Sequence, residues 1–124
     1  MPSALALRIA AIAGFLAVAL GAFGAHGLKN LLETNGTLAV WQTGALYHLV
    51  HSVVLLGLAL ASPRVARWPF TLFGTGIVIF SGSLYLLAVT NVKWLGAITP
   101  IGGLCLLGGW LVLAIKGTAG ETAR

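Results

Sequence analysis

Four stretches of this chain carry no charged side chain: Ile9–Leu28, Thr34–Pro63, Trp68–Val92 and Trp94–Ile115. A helix needs roughly 20 mostly apolar residues to cross a hydrocarbon core about 30 Å thick, and each stretch is long enough. Inside lipid no water satisfies backbone N–H and C=O groups, so each segment must bond them internally, which an α-helix does. The pattern predicts an all-α membrane protein. Its four transmembrane helices form one bundle and a single domain over residues 1–124.

Composition supports this and excludes other classes. Hydrophobic residues make up 59% of the chain and charged ones 7%, and seventeen residues are glycine. Soluble domains carry several times more charge. A net charge of +5 could suggest nucleic acid, but the seven basic residues are scattered singly, which suits anchors flanking membrane spans. The lone Cys105 has no partner for an intrachain disulfide or a metal pair, and reads as a small core residue.

The expected spans are residues 5–25, 41–61, 70–90 and 95–115. Arg8 before an apolar run, with Ala17-Val18-Ala19 behind it, imitates a cleavable signal. The apolar character continues through Leu20, Ala22 and Phe23, so a retained helix is favoured. Between the first two spans Leu28, Leu31 and Leu32 share a helical face with Lys29 and Glu33 elsewhere, predicting a short interfacial helix before the turn at Asn35-Gly36. Residues 117–124 read as a polar tail. With both termini cytoplasmic, that side holds Arg8, Arg64, Arg67, Lys116 and Arg124 while the other keeps Lys29 and Lys93. The positive-inside rule favours that orientation.

Helices in lipid associate through close packing of small residues rather than through burial of leucine. Ala6, Ala10 and Gly14 recur every four residues, as do Ala13, Ala17, Gly21 and Ala25, which makes the first span a contact element. Gly14, Ala17, Gly21, Gly82 and Gly103 are the candidate packing positions. Two small-residue ridges on one helix cannot both face the same neighbour, so self-association or membership of a larger complex is expected beside contact with lipid. Thr99-Pro100 predicts a kink near the start of the fourth span, with the Thr99 hydroxyl bonding a backbone carbonyl.

Polar side chains within the spans gather at one depth. His48 and His51 lie three residues apart on the second span and so project from one face. Tyr85 on the third span and Thr99 on the fourth fall in the same outer half, with His26 at the outer end of the first. Intramembrane ionisable groups are candidate functional sites. Three readings compete for His26, His48, His51, Tyr85, Ser81, Ser83 and Thr99. They are interhelical hydrogen bonds, a haem or transition-metal site, or a cavity for a small polar or quinone-like ligand. No carboxylate or second cysteine completes a metal set, so neither a metal nor a cofactor is expected. No acid lies within a span to orient a histidine base for Ser81 or Ser83, and no glycine loop follows a strand. An enzyme is not expected.

Four segments together resemble a known family: Gly21-Ala22-Phe23-Gly24-Ala25-His26-Gly27-Leu28; Trp41-Gln42-Thr43-Gly44 with Tyr47-His48 and His51; Phe80-Ser81-Gly82-Ser83-Leu84-Tyr85; and Leu95-Gly96-Ala97-Ile98-Thr99-Pro100-Ile101-Gly102-Gly103. Their order is similar to that of the small multi-pass membrane proteins of domain-of-unknown-function family 423 (DUF423, also UPF0382). That family includes bacterial inner-membrane members and is related to the eukaryotic transmembrane protein 256. The resemblance covers about residues 5–115 and implies membrane topology, without an agreed activity or site. The resulting expectation is a structural or accessory membrane protein acting through helix, lipid or complex contacts. The alternative is binding or transport of a small ligand in an outward-facing polar cavity.

Overall fold

The computed structural model describes residues 1–117, so the expected tail at 117–124 lies outside the described residues beyond Gly117. Helix α1 runs Ser3–Ala25, α2 Lys29–Asn35 and α3 Leu38–Ala61. The third span, Arg67–Thr90, is α4 (Arg67–Gly76), a π-helical turn (Ile77–Ser81) and α5 (Gly82–Thr90). The fourth, Lys93–Lys116, opens as a 3₁₀ turn (Lys93–Ala97) and continues as α6 (Thr99–Lys116). All four spans are long and apolar enough to cross a membrane. The second begins three residues before Trp41, because the chain re-enters a helix directly after Gly36 and Thr37.

The spans are not equivalent. In the apolar windows of α3 and the third span 39% of residues are buried, against 17% in the first and fourth. Helix α3 and the third span are therefore the central pair, with α1 packed along α3 and α6 along α4 and the π turn. The buried stripe of α3 is Trp41, Gly44, His48, His51, Ser52, Leu55, Leu58 and Ala59. Its alternating steps of three and four residues keep one face toward its neighbours. Leu55, Leu58, Val65, Phe70, Phe73, Ile77 and Leu106 form the core at one end, closed by Ala6 and Ala10. Leu32, Trp41 and Ala88 form a smaller core at the other.

Each end is fastened. Val65 N–H donates to the Met1 carbonyl at 2.8 Å and Ser3 N–H to that of Pro63 at 3.1 Å, so the N-terminus lies against the turn between α3 and α4. At the opposite end α2 turns Leu32 fully inward and closes on Gly36, whose φ of +70° suits glycine. There Thr37 Oγ1–H donates to the Ala88 carbonyl at 2.7 Å. Asn35 Nδ2–H donates to the carbonyls of Ala88 and Val89 at 3.0 and 3.1 Å. Those carbonyls belong to the last turn of α5, which lacks intrahelical donors.

Three sequence expectations are corrected. The fourth span is not a helix kinked by Pro100. The 3₁₀ turn ends before it, and Pro100 sits in the first turn of α6, where its missing N–H costs nothing. The close-packed glycines are Gly24, Gly44, Gly76, Gly102 and Gly109, while the added Cβ of Gly14, Gly21 or Gly82 meets no atom within 4 Å. Gly103 makes only ordinary contact with the Phe80 ring, at 3.8 Å, and Ala17 is buried as expected. The reason is geometric: a strict four-residue ridge advances about 40° around the helix at each step and soon leaves the contact face. The α1 face that meets α3 mixes both ridges, burying Ala6, Ala10, Ala17 and Gly24. Finally, Cys105 is half-buried on α6 and is not a core residue.

Candidate functional site

The polar residues singled out in the spans fall on the facing surfaces of α3, the third span and the fourth span, but they form separate pairs. His48 and His51 are both 5% exposed, on the buried stripe of α3. His48 Nδ1 and the Tyr85 hydroxyl share a hydrogen bond of 2.9 Å, tying α3 to α5. His51 turns elsewhere. Its Nδ1–H donates to the carbonyl of Tyr47, one turn back, at 2.8 Å. Its Nε2 accepts from the Trp110 indole N–H at 3.1 Å. A carbonyl only accepts and an indole only donates, so these partners fix His51 as the Nδ1–H tautomer. Though they share the buried face of α3, the two histidines take different partners: the roughly 60° between positions three apart turns His48 to Tyr85 and His51 to Trp110.

The serines divide in the same way. Ser81 Oγ–H donates to the Gly44 carbonyl of α3 at 2.7 Å. Ser83 shares a 2.6 Å bond with the Thr99 hydroxyl and also reaches the Phe80 carbonyl at 2.9 Å. Residues two apart on a helix point roughly 200° apart, so this central span uses opposite faces for its two neighbours. Thr99 thus bonds a side chain across the helix boundary instead of the expected backbone carbonyl. His26 stands apart. It is exposed at the end of α1, and among the described residues no side-chain bond joins it to the others.

Two participants went unread in the sequence. Trp41, placed at the start of the second span, is 3% exposed, and its indole N–H donates to the Leu20 carbonyl of α1 at 2.9 Å. Gly24 makes room for the ring, since a Cβ there would strike it. Trp41 also packs on Tyr85 with ring centroids 4.7 Å apart, linking the α1 contact to the His48 pair. Trp110 was the other. Its ring meets Phe73 edge-on at 5.2 Å besides bonding His51.

Among the described residues no buried side-chain nitrogen or oxygen lacks a partner. No three His, Cys, Asp or Glu side chains stand together in a way that could hold a metal ion. His48 and His51 nevertheless each border a groove. His48 and Tyr85 edge one of about 340 Å³ between α1 and the third span. His51 lies in another of about 590 Å³ between α3 and α6, walled by Tyr47, Phe80, Pro100, Leu107 and Trp110.

Comparison with known proteins accords with this architecture. The family model described as "Protein of unknown function (DUF423)" matches residues 20–103, more than half of the chain. A UPF0382 membrane protein of Staphylococcus saprophyticus is 44% identical over 110 residues, covering 86% of this chain and 91% of its own. The UPF0382 membrane protein YwdK of Bacillus subtilis is 43% identical over 115 residues, covering 86% and 90%. The UPF0382 inner membrane protein YgdD of Escherichia coli is 41% identical over 121 residues, covering 93% and 90%. No solved structure matches. The chain is a four-span membrane protein, and it belongs to the DUF423 (UPF0382) family.

Proposed function

We propose that this protein is a non-catalytic structural or accessory component of the inner membrane, acting through its helix faces on lipid, on further copies of itself or on a larger complex. The observation that carries this reading is that most of the buried polar side chains are used in ties between helices: Trp41 to α1, His48 and Ser81 between α3 and the third span, His51 to Trp110, and Ser83 to Thr99, while Ser52 bonds the His48 carbonyl within α3. Such bonds are worth about 0.6 kcal/mol each in membrane bundles, enough to fix how the helices face one another. The outer helix α1 leaves Gly14 and Gly21 open beside α3, which supports association through that side. Four basic residues, Arg8, Arg64, Arg67 and Lys116, share the end of the bundle that carries the N-terminus, while Lys29 and Lys93 lie at the other. That asymmetry supports a cytoplasmic placement for the first end.

A second reading has one observation in its favour: the groove beside His51 has the size and aromatic lining of a site for a flat, apolar, quinone-like ring. Against it, both nitrogens of His51 are already bonded within the chain. His51→Leu separates the two. If the histidine is a tie, thermal stability in detergent falls modestly, by about 0.6 to 1.7 kcal/mol, and no co-purifying species changes. If it serves a ligand, a bound species is lost while the fold persists.

A further inference from the structure

Helix α3 buries one face and turns the other outward through Thr43, Leu46, Val50 and Val53, whose steps of three and four keep them on one side. The half of this face nearest α2 carries polar groups that the bundle does not use. Gln42 and Thr43 are exposed, and Tyr47 is 43% exposed. Among the described residues the Gln42 amide and the Thr43 and Tyr47 hydroxyls make no hydrogen bond, whereas every buried side-chain nitrogen and oxygen has a partner. Gly117, the last described residue, lies at the other end of the bundle. With the midpoint of α3 at the bilayer centre, the Cα atoms of Gln42, Thr43 and Tyr47 stand about 11, 10 and 4 Å from it. All three are inside a hydrocarbon half-thickness of about 15 Å. Acyl chains offer no hydrogen bond there, so each group lacks what its depth demands.

We propose that the outward face of α3 is a two-fold interface with a second copy of this chain, inserted in the same direction, with the two Gln42 amides paired across the axis. The inference rests on the accessory reading, in which the protein acts on further copies of itself, and it gives that contact an address. A primary amide carries both donors and an acceptor, so it satisfies its own symmetry mate. Two copies inserted alike hold each residue level with its counterpart, and a two-fold axis brings the same patch of each together. An acyl chain covers the face but leaves the amide and hydroxyls unsatisfied. An unrelated helix needs polar groups at these same depths, which a second copy has already. Glutamine and threonine bonding between spans is a recognised tie in lipid. Gln42 lines a groove of about 430 Å³ between α3 and α1, and Tyr47 lines the one of about 590 Å³ against α6. These grooves give the flanking side chains of the copy somewhere to rest.

The test uses the full chain in phosphatidylcholine liposomes, with the dimer fraction followed against the protein-to-lipid ratio by single-molecule photobleaching. The wild type dimerises. Gln42→Leu raises the dissociation constant about tenfold and Tyr47→Phe, which keeps the ring on Phe80, about threefold. Neither side-chain polar group bonds within the chain, so both variants keep the wild-type unfolding midpoint in detergent at a dilution where all are monomers. In a Cys105→Ser background, copper-phenanthroline oxidation joins Leu46→Cys into a dimer far faster than Val78→Cys, exposed on the third span. A wild type that stays monomeric at every ratio overturns the proposal. So does a dimer that Gln42→Leu leaves unchanged, or one trapped as fast through Val78→Cys as through Leu46→Cys. A monomer holding one lipid or other small molecule that Gln42→Leu releases overturns it too, by assigning the face to a ligand. None of these outcomes bears on the ties between helices, which His51→Leu tests separately.

Discussion

A neutral imidazole has one donor and one acceptor, and within a bilayer both have to find protein partners. That cost made His48, His51 and Tyr85 legible in the sequence as inward-facing residues, and His48 does bond Tyr85. The partners of His51 were not legible, because they are a backbone carbonyl and a tryptophan. Tryptophan near the end of an apolar run reads as a membrane-interface residue, and nothing at Trp41 announces that its indole spans to Leu20. The neighbouring Gly24 was the available signal, since a residue without a side chain marks a place where something large comes close. At this scale the account predicts that Tyr85→Phe, which keeps the ring and removes the hydroxyl, costs about 0.6 to 1.7 kcal/mol. Reversible unfolding in mixed micelles measures it. In combination with His48→Leu the loss is less than additive, as for two ends of one bond.

Helices in this bundle meet where glycine leaves room for a neighbour, its backbone at Gly102 and its side chain at Gly24 and Gly109. The number and apolar length of the spans could be read from uncharged stretches alone, as could the abundance of small residues. Which glycine lies at each crossing could not, since that depends on how each helix is rotated. The π turn at Ile77–Ser81 is part of the reason. It inserts extra backbone into the third span and so resets the faces of Ser81, Gly82 and Ser83 relative to Phe70 and Phe73. No residue type in Ile-Val-Ile-Phe-Ser signals it. The consequence is a contrast between neighbouring positions. A Cβ at Gly102 would run into the backbone of Phe80, and one at Gly82 meets nothing. Gly102→Ala therefore destabilises the bundle by about 1 to 3 kcal/mol, while Gly82→Ala stays within about 0.5 kcal/mol of the wild type. Thermal melts of both variants in the same detergent decide it.

The whole molecule is a row of spans with a central pair and two flanking helices, closed at one end by the N-terminal strap and at the other by α2. The four-span class was legible because charge is so costly in lipid. The clasps at the ends were not, since Asn35, Thr37 and Val65 look like ordinary turn residues until the carbonyls they meet are known. The two ends also differ in charge, and this supports an orientation that labelling tests. A cysteine at Ser3 reacts with an impermeant thiol reagent only from the cytoplasm and one at Thr34 only from outside; the reverse pattern contradicts that orientation. The central claim is that the buried polar groups hold helices together and serve no cofactor. Native mass spectrometry of the wild-type protein, purified gently from its own membrane, tests this most directly. The account predicts lipid and other polypeptide chains with no redox cofactor at stoichiometric level; one haem or quinone per chain would contradict it.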